Sequence, residues 1–382
     1  MMFRALRTEP MPKYLANTSG PPARALSAHA IPSLDGLRAI SFLIVYVSHA
    51  GLQSLVPGGF GVTVFFFLSG YLITTLLRLE LEQHGTIRMR DFYLRRALRI
   101  WPPFYAVLLL AVIGVLVNVV PGRLAAMPLL AQAFHFNNYW TIAHGVDGIP
   151  AGAGVYWSLA IEEHFYLLFP WIFLALMRGP SRPRTRAMVL WGLCAAVLAW
   201  RCWLVLAQHA PEDRTYMGSD TRFDSLLFGC ALALHCNPGI DAARGDGRWL
   251  KFVWLPLGIA TLVFTFVYRA PAFRETLRYT LQGVALIPVF VAAIRHSEWG
   301  PMRLLNHPIA RFLGVLSYSL YLLHHVVLAA LHHRTTWPAP VQGVVGLGVS
   351  IAIAWGIHVA LERPAARVRR RLSRAVVRRA EG

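Results

Sequence analysis

Two ionisable residues stand inside the first apolar stretch of this chain. Residues 35–75 read DGLRAISFLIVYVSHAGLQSLVPGGFGVTVFFFLSGYLITT, two apolar segments joined by a Pro-Gly-Gly turn. Arg38 and His49 are eleven positions apart, about three helical turns, so they share one face roughly 16 Å apart along the axis. Ionisable groups in lipid are costly and are functional by default. A guanidinium near the membrane surface can hold an anion, and an imidazole with an ordinary pKa near ~6.5 can move protons at working pH. Further on, Glu162-Glu163 interrupts another apolar run. Adjacent helical residues point about 100° apart, so the two carboxylates cannot serve one spot. Glu162 and His49 each lie seven residues from the outer end of their expected helices, about 10 Å deep in both cases. That shared depth offers a His–carboxylate pair.

Other groups could bind rather than react. Arg95, Arg96 and Arg99 lie in an amphipathic stretch, residues 89–102; spacings of three and four place Arg95 with Arg99, and Arg96 with Arg99, on common faces. Arginine suits bidentate phosphate recognition, whereas plain topogenic charge is the simpler reading of the same run. Asp220, Arg222 and Asp224 alternate just before a short apolar segment and could simply pair with one another. Asp35 lies one turn from Arg38 and could pair with it. Arg201, mid-way along an apolar run, needs a partner or a cavity. Phe134, His135, Asn137, Asn138, Tyr139 and Trp140 crowd one loop, a composition suited to sugar rings or to an interfacial aromatic belt. His324-His325 and His332-His333 read as packing or interface histidines; a metal site needs more ligands at tighter spacing. No metal is called for.

The elements that must position these groups are membrane helices. Mean hydropathy of +0.49 with 56% hydrophobic and 14% charged residues is too apolar for a soluble domain. The expectation is an all-α, polytopic transmembrane bundle of about ten spans: 36–56, 59–79, 100–120, 155–177, 187–208, 222–236, 251–268, 276–294, 311–333 and 341–361, the sixth being short for a bilayer. With the N-terminus inside, 28 Lys and Arg fall in inner segments and 7 in outer ones, which places both termini in the cytoplasm. This clustering between apolar runs also explains the net charge of +19 by lipid headgroups and a polyanionic small molecule, not nucleic acid. Residues 1–34 lack a signal-peptide core and read as a flexible cytoplasmic tail; 365–382 read as a basic, lipid-binding one. The four cysteines form no CxxC pair and read as packed thiols.

Several of these segments resemble one family. Asp35-Gly36-Leu37-Arg38-Ala39, the Arg38–His49 spacing and the run from Gly61 to Ile73 look like the acyltransferase-3 family of integral membrane O-acyltransferases. So do Arg95-Arg96-x-x-Arg99-Ile100-x-Pro102, Trp157-Ser158-Leu159 with Glu162-Glu163-x-Phe165-Tyr166, Asp220-x-Arg222-x-Asp224, the run from Leu313 to His324, and Leu361-Glu362-Arg363-Pro364. The motifs come in the family's order from about Ile31 to Pro364, the span of a single membrane domain at 35–364. One departure is Thr63, where many members carry an acidic residue, so no role for that carboxylate carries over. The expectation is that no soluble hydrolase-like domain is appended, and any need for one would fall to a second protein.

The resemblance implies an enzyme of the cytoplasmic (inner) membrane that transfers acyl groups other than amino-acyl groups. Acyl-CoA, expected to be acetyl-CoA and used as a co-substrate rather than a resident cofactor, would place its phosphates on Arg38, Arg95, Arg96 and Arg99. His49 would be general base for a hydroxyl of a carbohydrate acceptor, or carry the acyl group briefly. Glu162 would orient the imidazole, and Asp220, Arg222 and Asp224 would orient the acceptor. Two other readings stay open: a small secondary metabolite such as a macrolide as acceptor, and a transporter whose path is lined by Arg38, His49, Glu162 and Arg201.

Overall fold

The computed structural model describes residues 31–179, 182–242 and 247–369, and among these every regular element is helical. Ten long helices answer the ten expected spans. They are α1 (Pro32–Val47), α2 (Gly58–His84), α3 (Met89–Leu116), α6 (Trp157–Arg178), α7 (Pro183–Leu206), α9 (Ser219–His235), α10 (Leu255–Val267), α12 (Leu277–Arg295), α14 (Pro308–Arg334) and α15 (Ala339–Ile357). Short helices α4 (Ala126–Ala133), α5 (Asn137–His144), α8 (Glu212–Met217), α11 (Pro271–Glu275) and α13 (Met302–Leu305) lie in the connections. Eight helical runs among the described residues are long and apolar enough to cross a membrane, and the chain is a polytopic helical bundle. α1 and α9, at 16 and 17 residues, fall short of the ~20 a bilayer asks for, whereas the 13 residues of α10 are extended by a π-helical turn at Leu250–Trp254 to a run of 18.

Several boundaries depart from expectation. α3 begins at Met89 and not near residue 100, so the basic stretch forms the first turns of a membrane helix rather than a separate surface segment. α1 begins at Pro32, which takes residues 32–34 from the N-terminal tail; residues 1–30 lie outside the described residues. Helix also runs past Pro364 to residue 369, so only 370–382 of the C-terminal tail lie outside them. α1 also stops early. A π-turn at Ser48–Leu52 follows it and breaks at Gly51, whose φ of 108° is open to glycine and strained for other residues.

Successive long helices alternate in direction. The starts of α1, α3 and α14 therefore gather at what we call the first end, where a Cβ on Gly36 would strike the Leu305 carbonyl and one on Gly314 the Asp35 carbonyl. α2 and α9 are packed as closely: a Cβ on Gly70 would meet the Leu226 carbonyl and one on Gly229 the Phe67 carbonyl. With no gain from hiding apolar surface in lipid, such close backbone packing carries helix association. Gly229→Leu should therefore lower stability by about 1–3 kcal/mol through overpacking, read as a fall in thermal unfolding temperature in detergent. Gly192→Ala, at a helical glycine of α7 with open space around it, should be neutral or mildly stabilising. Equal tolerance of the two changes would refute this packing account.

Candidate functional site

Three of the four predicted anion-binding arginines meet. Arg38 of α1 and Arg96 and Arg99 of α3 line one cavity of about 120 Å³ near the first end, together with Glu162 and Tyr166 of α6 and apolar residues of α2 and α14. Arg38 also holds Asp35 at 3.1 Å, so the simple pairing and the cavity position coexist. Arg96 sits 5.0 Å from the Tyr166 ring centroid, a cation–π arrangement. Arg95 is turned away: its guanidinium donates to Glu80 at 2.5 Å, because neighbouring residues on a helix diverge by about 100°. The expected four-arginine cluster is thus a cluster of three plus a structural ion pair.

The His49–Glu162 pair does not form. Glu162 accepts from the Tyr166 hydroxyl at 3.0 Å and lies among the arginines of the first-end cavity. The early end of α1 puts His49 on the π-turn, against α14, where its Nδ1 lies 2.9 Å from His324 Nε2 with the two rings 5° from coplanar. The His325 ring stacks on it with centroids 4.5 Å apart. The hydrogen bonds assign tautomers. His324 Nδ1 faces the carbonyl oxygens of Tyr321 and Leu320 at 2.8 and 3.2 Å, and carbonyls only accept. Neutral His324 therefore carries its proton on Nδ1, its Nε2 accepts, and His49 must donate from Nδ1. The basic lone pair of His49 is then on Nε2. His324, read from sequence as a packing residue, fills the place expected of Glu162. Its only sequence signal was its position at the close of the Leu313–His324 run.

His49 does not line the first-end cavity. Tyr321 does, with its hydroxyl 2.7 Å from Ser158 Oγ and its ring 5.7 Å from that of His324. A second cavity of about 280 Å³ opens at the opposite end. Its wall starts at Gln53, four residues beyond His49, and includes Tyr216, Arg269, Arg274, Arg278 and Tyr279. Burial pushes the Tyr216 phenol up to about 12, so it stays a neutral donor at working pH.

Asp220, Arg222 and Asp224 do not pair with one another. Asp224 and Arg201 are both fully buried and meet at 2.9 Å, with Thr280 donating to the same carboxylate oxygen at 3.0 Å; Arg201 thereby finds its partner. Asp220 binds Arg214 at 2.5 Å and accepts from Trp200 and Tyr139. Arg222, fully buried, donates to Thr63 Oγ1 at 3.0 Å and to the Tyr216 carbonyl at 3.3 Å. Its guanidinium lies over the rings of Tyr279, Phe66, Tyr216 and Trp157 at 4.0 to 6.0 Å. Phe66 lines the first cavity, and Tyr216 and Tyr279 line the second, so Arg222 forms part of the partition between them. The aromatic loop contributes less than its composition promised. His135, Asn137 and Asn138 are buried, and Asn138 donates to Met217 O and Ser219 Oγ, which ties the loop to α8 and α9.

Comparison with known proteins adds an independent line. A family model described as an acyltransferase domain, that of the acyltransferase-3 family, matches residues 31–359. The peptidoglycan O-acetyltransferase OatA of Listeria monocytogenes is 31% identical over 311 residues, 78% of this chain and 49% of that protein. A Staphylococcus aureus (strain COL) protein provisionally named an O-acetyltransferase is 30% identical over 316 residues, 79% of this chain and 51% of that one. The chain spans about half the length of the curated relatives it matches. No solved structure matches it.

Proposed function

Because the chain belongs to the acyltransferase-3 family, we propose that it is an integral membrane O-acetyltransferase moving acetyl from acetyl-CoA to a hydroxyl of a cell-envelope glycan. The observation that carries this reading is the convergence of Arg38, Arg96 and Arg99 on one otherwise largely apolar cavity. Guanidinium forks suit phosphate oxygens, and an apolar recess behind them suits a short acyl chain. The first end holds most of the arginines and faces the cytoplasm by the positive-inside rule, where acyl-CoA is available. The name of the Listeria relative, a peptidoglycan O-acetyltransferase, supports a glycan acceptor, which this reading places at the opposite end.

In this scheme the three arginines hold the donor phosphates at the cavity rim, and Glu162 balances their charge in the cavity. The thioester end passes Tyr321, whose ring lines the cavity and lies 5.7 Å from that of His324. His49 Nε2 takes the proton of the acceptor hydroxyl while that oxygen attacks the thioester carbonyl. The carbon–sulfur bond breaks, CoA leaves as its thiolate, and the proton passes from His49 to the sulfur or to solvent. His324 holds His49 in the tautomer whose Nε2 can do this.

CoA release by the purified full chain in liposomes, with acetyl-CoA outside and mixed envelope glycans as acceptors, tests the scheme. Wild type should release CoA only with acceptor, and His49→Ala should be at least about 10²-fold slower, the usual size of a lost general base. Arg96→Gln should raise KM for acetyl-CoA about tenfold, the size of one charge-assisted hydrogen bond, while Arg95→Gln leaves it nearly unchanged. Full release by His49→Ala would discard the base. No release with any acyl-CoA or acceptor would bring the transporter reading forward.

A further inference from the structure

The second-end cavity has a charge imbalance that the transfer chemistry does not require. Arg269, Arg274 and Arg278 line it, and Arg222 lies directly behind its Tyr216 and Tyr279 walls. Against these four guanidiniums stand two nearby carboxylates. Glu212 is paired with Arg274 at 3.3 Å. Glu275 lies 3.8 Å from Arg278 and already accepts from the Thr215 hydroxyl at 2.6 Å. Asp224, one helical turn or less from Arg222 in the sequence, is committed to Arg201 and Thr280. Among the described residues Arg269 donates to one carbonyl, that of Ser54, at 3.1 Å. Among the described residues no carboxylate lies within ion-pair distance of fully buried Arg222, and its Nε has no hydrogen-bond partner; the buried Nε of Arg278 has none either.

Arg278 also donates to the Tyr279 hydroxyl at 2.8 Å, yet a partly desolvated recess with more guanidiniums than carboxylates still favours an anion, since charge interactions there are several-fold stronger than in water. The rest of the wall is sugar-like in its demands: Tyr216, Tyr268 and Tyr279 supply ring faces and hydroxyls, and Gln53 and Gln282 supply amides. We propose that this cavity is an acceptor subsite selective for carbohydrate bearing a carboxylate, with Arg269 and Arg278 reading the acidic group. The inference rests on the acetyl-transfer reading for the identity of the ligand as acceptor; the anion selectivity itself does not depend on transfer. Glu212 is the counter-charge that such a ligand must work against, so removing it should strengthen binding.

The test is equilibrium binding to the full chain in nanodiscs, with CoA release measured on the same samples. The probe is a fluorescent tetrasaccharide alternating glucuronic acid and N-acetylglucosamine, beside its carboxyl-reduced neutral form. Wild type should bind the acidic form at least about tenfold tighter at low salt, with the preference shrinking as salt screens the charges. Arg269→Gln and Arg278→Gln should each cut the preference several-fold, and Glu212→Gln should raise it. Among the described residues Arg269 makes a single carbonyl contact, and Glu212 is largely exposed at 59%, so these two variants keep the test valid if Arg278→Gln unfolds. Equal binding of both sugars, binding of neither, or a preference unmoved by all three changes would overturn the proposal. Acid-selective binding without CoA release on any acceptor would overturn the transferase reading and leave the anion site standing. Release to neutral glycans with no acid preference would do the reverse.

Discussion

Replacing His324 with leucine is expected to lower the turnover of acetyl transfer by about 10²–10³-fold, within the range of a disabled general base, with KM for acetyl-CoA little changed. The reason is the direction of the hydrogen bonds. His324 gives its Nδ1 proton to the Tyr321 and Leu320 carbonyls, which leaves only Nε2 to accept from His49. Leucine removes that acceptor, and the His49 ring loses the bond that fixes its tautomer and its plane. His324→Gln can offer an amide oxygen to the same proton and should recover part of the loss, whereas a residue that merely fills space would not distinguish leucine from glutamine in this order. Turnover and KM are measured on detergent-purified variants whose thermal unfolding matches wild type. A leucine variant retaining more than half of the turnover would remove His324 from the mechanism.

The largest expected effect on stability belongs to Asp224. Asp224→Ala should destabilise the bundle by about 3–5 kcal/mol, the cost of leaving a buried charge without its partner. Arg201 is fully buried and its guanidinium joins three helices: it donates to Asp224 and Thr221 of α9, and to Thr276 and Thr280 beside and within α12. Without the carboxylate it keeps neutral acceptors only. The paired replacement Arg201→Met with Asp224→Leu should restore most of the stability, since apolar groups of similar volume can substitute for a buried ion pair. Thermal unfolding in detergent gives the first readout, and transfer activity per folded molecule gives the second. A stable but inactive Asp224→Ala protein would return Asp224 to acceptor binding, the role its motif first implied.

Much of the architecture was legible in the chain. Apolar runs of about bilayer length predict where helices run, because a lipid-facing backbone has to satisfy its own hydrogen bonds. Helical periodicity likewise shows that Arg96 and Arg99 share a face. It cannot show which neighbour that face meets. Arg95 and Arg96 are alike in the sequence, yet one binds Glu80 and the other lines the cavity, a division made by how α3 is rotated against α2 and α6. His49 and Glu162 would share a depth only on a straight α1; the π-turn at Ser48–Leu52 sets the imidazole against α14, and its partner comes from a residue 275 positions away. Arg222 shows the same limit. Spacing placed it between two aspartates, but Asp220 turned to Arg214 and Asp224 to Arg201, and that left Arg222 among aromatic rings between the two cavities. The sequence by itself determined the helices, the family motifs and the residue types that bear charge. Tertiary packing alone decided which charges cancel and which keep no carboxylate partner among the described residues, because ion pairing falls off over a few ångströms and depends on helix rotation, which no local pattern encodes.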